Sequence, residues 1–187
     1  MLEKILSLDT ELFIFLNGLG SETYDALWLK ITSQFNWIPL FIVLLYFIFK
    51  KIGAKQTFYL LFFVAVLITV TDQTTNLFKF TFQRLRPCNN PDINSFIRVV
   101  QVRSSFSFFS GHASNTMAVA IFLHLVLKKH FKYFGFLFLW PLIFGYSRIY
   151  LGLHYPVDIL SGYLCGFIYG FLIYKIYIAV QKRYFPI

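Results

Sequence analysis

The chain has 187 residues, of which 58% are hydrophobic, 21% are aromatic and only 13% are charged. This hydrophobicity excludes an intrinsically disordered chain, and two cysteines are too few for a disulfide-stapled mini-domain. So few charges could not cover the surface of a soluble enzyme, so the composition predicts an integral membrane protein. The net charge of +9 suits anionic partners. Because the basic residues lie at the ends of apolar runs, they favour membrane topology and phosphate binding over nucleic-acid binding.

Residues 1–20 predict an amphipathic helix, because apolar residues recur at helical spacing with charged residues between them. The apolar positions are Leu2, Ile5, Leu6, Leu12, Phe13, Leu16 and Leu19. The charges Glu3, Asp9 and Glu11 interrupt any signal-peptide core. Each charge would cost about 2.5–3.5 kcal/mol at the bilayer centre, so the segment is predicted to lie in the interface. A first membrane-spanning helix is the alternative.

Five apolar segments long enough to cross a membrane follow. The first ends at Lys50, the second begins after Lys55, the third runs from about Ala113 to Leu127, the fourth begins after Lys132, and the fifth runs from near Pro156 to Lys182. We therefore expect residues 1–187 to form a single all-α domain, an integral membrane bundle of five to six transmembrane helices.

Basic residues indicate how this bundle is oriented. They occur at 50–55, 128–132 and 182–183, and five alternating spans place all three segments on the same side. The positive-inside rule makes that side cytoplasmic. The segments at 79–112 and 147–156 would then face the periplasm or exterior of a bacterial inner membrane.

The first of three polar clusters on the predicted exterior side covers residues 79–87. Lys79 and Arg86 are two helical turns apart, so they share a face if the helix continues to Pro87. The same stripe contains Asp72, Asn76 and Gln83. We expect it to face the bundle interior or a water-filled cavity, where Asp72 either supports Lys79 or an arginine or forms a helix–helix hydrogen bond. Lysine and arginine side chains that snorkel to the membrane edge are the alternative.

The second cluster is Ser110-Gly111-His112, just before the third span. Ser110 is a good helix N-cap, and Gly111 lets the backbone approach a ligand. A helix N-terminus presents free N–H groups to an anion, and His112 would lie beside them. The alternative is a capped helix start with an interfacial histidine.

The third cluster contains Arg148, His154 and Asp158. Pro156 suits the first turn of a helix, which puts the Asp158 carboxylate within hydrogen-bonding reach of the His154 imidazole. That bond would fix the tautomer and leave the other ring nitrogen free to attack. A purely structural His–Asp pair is the alternative.

Together the clusters provide what cleavage of a phosphate monoester requires: cations and N–H groups for the phosphoryl oxygens, a nucleophile and a general acid. The residues alone do not decide which histidine attacks. Asp158 is the only acid in the three clusters, so we predict chemistry without a metal or other cofactor. Arg98 and Arg103, between the first two clusters, are candidates to bind a second phosphate, a polar headgroup or anionic lipid.

The pattern K-x6-RP, SGH and SR-x5-H-x3-D, from Lys79 to Asp158, resembles the signature of the type 2 phosphatidic acid phosphatase family. That family belongs with bacterial acid phosphatases and vanadium haloperoxidases, so the resemblance implies their helical core. One departure is Phe109, where the family usually has proline before SGH; it affects loop geometry rather than a reacting group.

The resemblance also implies roles for the matching residues. His154 would be the nucleophile that forms a phosphohistidine, and Asp158 would orient it. His112 would protonate the leaving group and then activate water. The residues that would bind the phosphoryl oxygens are Lys79, Arg86, Arg148, Ser110 and the Gly111 N–H.

We therefore predict a membrane lipid phosphatase whose partners are its lipid phosphate substrate and membrane lipids, with no nucleic acid and no obligate protein partner. Candidate substrates are undecaprenyl pyrophosphate, phosphatidylglycerol phosphate, phosphatidic acid and lipid A 1-phosphate. A lipid-to-lipid phosphotransferase would use the same residues. A transporter or scaffold with a degenerate site and a vanadate-dependent haloperoxidase are weaker alternatives.

Overall fold

Six α-helices account for most of residues 2–184, the part of the chain that this computed structural model describes. They are α1 (Leu2–Gly18), α2 (Glu22–Thr32), α3 (Ile38–Phe82), α4 (Gly111–Leu127), α5 (Leu139–Tyr150) and α6 (Pro156–Tyr184). No strand occurs within these residues, so the all-α class is confirmed. The segments Gln34–Asn89 and Pro156–Arg183 are long and apolar enough to cross a membrane, whereas Gly111–Leu127 and Phe134–Tyr150 are shorter apolar helices.

Helix α3 is a hairpin that supplies the first two predicted spans. A straight helix would separate Phe41 from Ile68 by about 40 Å, yet both side chains line the same cavity. The chain reverses at Gly53, whose φ of 78° and ψ of 169° interrupt the helical backbone. Glycine suits this position because a positive φ costs it no steric strain.

The three basic segments lie at one end of the bundle, as predicted. Lys51, Lys129 and Gln181 line a common cavity of about 440 Å³, although they come from α3, the α4 terminus and α6. The loops at 83–110 and 151–155 lie at the opposite end, which we call the site end.

Three glycines at four-residue spacing let α6 pack against the backbone of α4. A Cβ on Gly166 would lie 2.4 Å from the Ser114 carbonyl oxygen, and one on Gly162 would lie 2.6 Å from that of Ser110. Gly170 makes the same kind of approach to α4. Small residues at this spacing are typical of membrane-helix interfaces. The close packing holds the start of α4 beside the start of α6.

Replacing Gly166 with alanine is expected to force α4 and α6 apart and to cost about 1–3 kcal/mol. In a chain of this size we expect the melting temperature in detergent to fall by about 2–10 °C. Gly135→Ala is the matched control, because nothing lies within 4 Å of a Cβ at Gly135. Equal melting temperatures for the two variants would contradict this packing.

Helix α1 buries two polar residues and one phenylalanine against the rest of the protein, while several of its leucines are exposed. Its buried stripe consists of Asp9, Phe13 and Asn17, which are spaced four apart, whereas Leu8 and Leu12 are exposed. The sequence pattern, which placed Asp9 between the apolar residues, did not predict that Asp9 is buried. Asp9 is buried because its carboxylate has partners at the site end, in the loop after α3 and in the first turn of α6. The position of α1 in the membrane interface stays a prediction.

Candidate active site

The polar stripe on α3 ends earlier than expected. The helix stops at Phe82, and Gln83 has a left-handed φ of 45°, while its N–H donates to the Lys79 carbonyl oxygen at 3.0 Å. Arg86 lies beyond, in extended backbone, so it shares no helical face with Lys79, and Pro87 does not end the helix. These predictions were wrong because the left-handed cap turns the chain over the site end. Of the predicted stripe, Asp72, Asn76 and Lys79 line one cavity, and Gln83 does not.

Asp72 joins two helices. Its Oδ1 accepts a hydrogen bond of 2.7 Å from Nδ2 of Asn115 on α4, and Asn115 in turn accepts from the Thr71 hydroxyl. Among the described residues, Asp72 forms no ion pair with Lys79 or an arginine. The geometry favours helix–helix bonding over the expected support of a cation.

His154 lies in the loop between α5 and α6 and is only 1% exposed. Its Nδ1 is 3.4 Å from Oδ2 of Asp158, so the expected juxtaposition of imidazole and carboxylate is present. Its Nε2 is 3.0 Å from Nη1 of Arg86. Because guanidinium can only donate, this contact gives Nε2 the lone pair and Nδ1 the proton. The nitrogen expected to attack therefore faces a cation.

Asp158 is fully buried and has several donors around it. Nη1 of Arg84 donates to Oδ1 at 2.8 Å, the backbone N–H of Tyr155 donates to Oδ2 at 2.9 Å, and the Ser107 hydroxyl also donates to Oδ2. These bonds compensate the loss of hydration and hold the carboxylate in one orientation.

The environment of His154 keeps its imidazole neutral. Burial lowers the pKa of His154 well below its usual range, and the positive charges of Arg86 and Arg148 lower it further. A neutral ring retains the lone pair that a nucleophile needs.

The low pKa of His154 makes stability depend on pH. Below pH 6.5 the unfolded imidazole binds a proton that the folded one does not, so acid favours unfolding. The contribution is at most about 1.4 kcal/mol per pH unit, from pH 6.5 down to the folded pKa. Between pH 7 and pH 5, we expect the melting temperature of His154→Gln to fall less than that of the wild type. Parallel melting curves would contradict a buried neutral imidazole.

The start of α4 is built as expected from Ser110-Gly111-His112. The Ser110 hydroxyl accepts from the Ala113 N–H at 3.4 Å, and the Ser110 N–H donates to the Asp158 carbonyl oxygen at 3.0 Å. A Cβ on Gly111 would lie 3.1 Å from the Thr75 side chain, so its small size also serves packing against α3.

Cations from three parts of the chain meet in a polar cavity of about 520 Å³ at the site end. Lining residues with polar side chains include Lys79, Arg86, Arg103, Arg148, His112 and Ser105. We call this the phosphate cavity. Its net positive charge and its N–H donors suit a phosphate group.

Two further cavities connect the phosphate cavity with the apolar interior of the bundle. Lys79 and His112 also line a cavity of about 380 Å³, where the His112 ring stacks on Phe144 with centroids 5.5 Å apart. Phe41 and Trp140 line both this cavity and an apolar groove of about 310 Å³ between the arms of α3 and α4. A molecule with a charged head and a hydrocarbon chain could place its head in the phosphate cavity and its chain in the apolar groove.

Arg148 carries a buried donor that an anion could satisfy. The residue is 3% exposed, and its Nη1 donates to the Thr32 hydroxyl at 2.5 Å. Its Nε has no hydrogen-bond partner within residues 2–184. A buried unsatisfied donor costs about 1–3 kcal/mol, which a phosphoryl oxygen in the cavity would recover.

The two candidate headgroup arginines differ in position. Arg103 lines the phosphate cavity. Arg98 does not; its Nη2 pairs with both carboxylate oxygens of Asp25 on α2, at 2.9 and 3.0 Å, and its guanidinium lies 5.5 Å from the Tyr150 ring centroid. Arg98 thus attaches α2 to α5.

A family model supports the motif-based resemblance. The model described as the PAP2 superfamily matches residues 56–182, which include all three motifs. The chain belongs to the PAP2 superfamily. The family predicted from Lys79 to Asp158 is therefore confirmed.

PAP2 relatives match nearly the whole chain. It is 35% identical to a lipid A 4'-phosphatase of Bacteroides thetaiotaomicron, over 94% of this chain and 80% of that protein. It is 30% identical to a lipid A 4'-phosphatase of Porphyromonas gingivalis, over 98% of this chain and 78% of that protein. The crystal structure of Aquifex aeolicus LpxE superposes with a TM-score of 0.68 at 27% identity, covering 90% of this chain and 95% of that chain. A transmembrane PAP2-type phosphatidylglycerolphosphate phosphatase from Bacillus subtilis shares the fold, with a TM-score of 0.73 at 21% identity, 97% of this chain and 89% of that chain.

Several residues to which the PAP2 motifs assign no role also contact the site. Arg84 and Ser107 bond to Asp158, and Thr32 bonds to Arg148. Asp9 lies before residue 56, where the PAP2 match begins, and bonds to Arg84. Asp9 and Arg84 had a sequence signal, because a charged residue among apolar ones needs a polar partner. Ser107 and Thr32 had none.

Proposed function

We propose that this PAP2 protein is a membrane lipid phosphatase that acts through a phosphohistidine on His154. The observation that carries the proposal is the position of His154, with Nε2 against Arg86 at the phosphate cavity and Nδ1 toward Asp158. The apolar groove beside this cavity suits the hydrocarbon part of a lipid. The names of the relatives, which are lipid phosphatases, support the same reaction class.

In the first step, the cations Lys79, Arg86 and Arg148 bind the phosphoryl oxygens, with help from Ser110 and the Gly111 N–H. The lone pair on His154 Nε2 attacks phosphorus while the bond from phosphorus to the leaving oxygen breaks. His112 donates a proton to the departing alkoxide or phosphate.

In the second step, His112 takes a proton from water, and the resulting hydroxide attacks the phosphohistidine. The nitrogen–phosphorus bond breaks, inorganic phosphate leaves, and His154 regains its lone pair. The Asp158 carboxylate, 3.4 Å from Nδ1, stabilises the positive charge that develops on the imidazole. No step in this scheme needs a metal, so metal independence remains our prediction.

The substrate we propose first is a phosphorylated glycolipid of the lipid A type. Uncharged polar side chains, including Ser33, Gln34 and Gln101, line the phosphate cavity beside its cations, and they suit the hydroxyl groups of a sugar. The lipid A relatives are named for the 4′-phosphate, whereas our sequence-based candidate was the 1-phosphate. The alternative substrate is a prenyl pyrophosphate. It is supported by the similarity to an undecaprenyl-diphosphatase of Sulfolobus acidocaldarius, which is 29% identical over 91% of this chain and 79% of that protein.

We propose that the protein lies in the inner membrane as one domain, residues 1–187, with the site facing the periplasm. The basic end of the bundle, with its cavity lined by Lys51 and Lys129, supports a cytoplasmic position for that end by the positive-inside rule.

Phosphate release by the purified protein in lipid nanodiscs, with EDTA present, tests this function. The substrates would be lipid A, undecaprenyl pyrophosphate, phosphatidylglycerol phosphate and phosphatidic acid. We expect release from lipid A at the 4′ position to be fastest. Dephosphorylation of the substrate only when an acceptor lipid is added, with the phosphate recovered on that acceptor, would identify a phosphotransferase, and no dephosphorylation in either format would overturn the proposal.

The variants Arg103→Gln and Arg98→Gln test which of the two arginines binds the substrate headgroup and which stabilises the fold. We expect Arg103→Gln to raise the KM for lipid A or for pyrophosphate about tenfold, and the KM for phosphatidic acid less, because Arg103 lines the cavity. Arg98→Gln should instead lower the melting temperature, because it breaks the pair with Asp25. A KM change common to all substrates in Arg103→Gln would count against a headgroup contact.

A further inference from the structure

The Arg84 guanidinium lies between two buried carboxylates. Its Nη2 is 2.7 Å from Oδ2 of Asp9, and its Nη1 is 2.8 Å from Oδ1 of Asp158. Both carboxylate side chains are 0% exposed, whereas Arg84 is 18% exposed. Two charge-assisted bonds from a planar group fix the position of that group more firmly than either bond alone.

Asp9 is also attached to the helix that carries Asp158. Its Oδ1 accepts a 2.8 Å hydrogen bond from the N–H of Val157, in the first turn of α6, where N–H groups have no partner within the helix. The Tyr155 ring lies under the Arg84 guanidinium, 3.9 Å from its carbon, and Phe13 of α1 packs edge-on against that ring at 5.3 Å. Helix α1 thus contacts both Arg84 and the start of α6.

We infer that Asp9 is a positioning residue for the proposed reaction. It holds Arg84 in place, and Arg84 holds the Asp158 carboxylate where its Oδ2 lies 3.4 Å from Nδ1 of His154. Because the Arg84 guanidinium is shared between two carboxylates, its attraction for Asp158 is weaker than it would be with Asp158 alone. Asp9 therefore helps to keep the Asp158 carboxylate near the His154 imidazole. Without the Asp9 charge, we expect Arg84 to pair with Asp158 alone. The interaction between the Asp158 carboxylate and the His154 imidazole should then be weaker.

Asp9 lies outside residues 56–182, which the PAP2 model matches, and Arg84 is one of the six unspecified positions of the K-x6-RP pattern between Lys79 and Arg86. The family motif therefore assigns a role to neither residue. The inference deepens the proposed function, on which it rests.

The test is Asp9→Asn in the full chain, reconstituted in nanodiscs with the lipid phosphate that the wild type hydrolyses fastest. Asparagine keeps an acceptor for the Val157 N–H but removes the charge that pairs with Arg84. We expect kcat to fall about tenfold with KM within about twofold, because the loss affects the transition state and not substrate binding. Vanadate, which mimics the five-coordinate transition state, should inhibit more weakly by a similar factor, and inorganic phosphate should inhibit as before.

Glu11→Gln is the matched control. Glu11 lies on the same helix, is exposed and accepts a hydrogen bond from the nearby Ser7 hydroxyl, so its kcat should equal that of the wild type. If Asp9→Asn folds poorly, Asp9→Ser offers a smaller uncharged acceptor, and the same loss of kcat is expected.

A double-mutant cycle tests whether Asp9 affects kcat through Arg84. Once Arg84→Gln has removed the link, adding Asp9→Asn should cause little further loss, because the two residues act in one chain of contacts. Wild-type kcat in an Asp9 variant, or losses that multiply in the double variant, would overturn the inference. An inactive wild type would overturn the proposed function instead, so the two failures are distinguishable.

Discussion

His154→Ala is expected to lower kcat/KM by about 10⁴-fold or more, because the variant has no nucleophile to form the covalent intermediate. The imidazole is buried, with Nε2 against Arg86, and no second histidine is hydrogen-bonded to it within the described residues. The measurement is phosphate release together with a search for labelled enzyme after an alkaline quench, since phosphohistidine survives alkali and is lost in acid.

The control for this variant is His130→Ala at the basic end of the bundle, where the ring is exposed and lines a different cavity. It should retain wild-type turnover and wild-type labelling. Labelled phosphate that persists on His154→Ala would show that another residue is the nucleophile and would contradict the assigned roles.

His112→Ala is expected to lower kcat by about 10²–10⁴-fold on a lipid phosphate, because an alkoxide leaving group needs a proton. An aryl phosphate with a strongly acidic leaving group needs no such proton, so its first step should be largely restored. The second step still needs a base for water. Labelled phosphoenzyme should therefore accumulate in this variant and appear as a burst of released phenol.

The matched control is His124→Ala, on the same helix α4, where the ring packs 5.3 Å from Phe138. It should show neither the loss nor the burst. Equal losses on the lipid and on the aryl phosphate would contradict the acid role of His112. A variant that releases the phenol without accumulating phosphoenzyme would contradict its role in the second step.

The motif residues could be predicted because their chemistry depends on short spacings. Ser110 to His112 begin a helix, and His154 lies four residues before Asp158, so local geometry alone brings each set together. The apolar runs likewise predict the spans, since their length and hydrophobicity are properties of each segment. The G-x3-G-x3-G repeat on α6 was equally visible and would have predicted the contact between α4 and α6.

Errors arose where a local pattern depended on distant partners. The stripe from Asp72 to Arg86 assumed a continuous helix, but Gln83 takes a left-handed conformation and the chain leaves α3. The periodicity of α1 did not indicate which of its residues would be buried; Asp9 is buried because Arg84 and Val157 supply its hydrogen bonds. Arg98 and Arg103 looked alike in sequence and have different surroundings.

The sequence by itself determined the membrane class, the family and the basic end of the bundle, and it named the candidate residues for the chemistry, because all of these follow from composition or from residue spacing. Only the tertiary structure decided how those residues are supported: Arg84 between Asp9 and Asp158, Ser107 beside His154, and Thr32 on Arg148. These pairs join positions far apart in the chain. Which polar groups lie next to a buried charge depends on how distant segments pack in the folded protein, and no local sequence pattern contains that information.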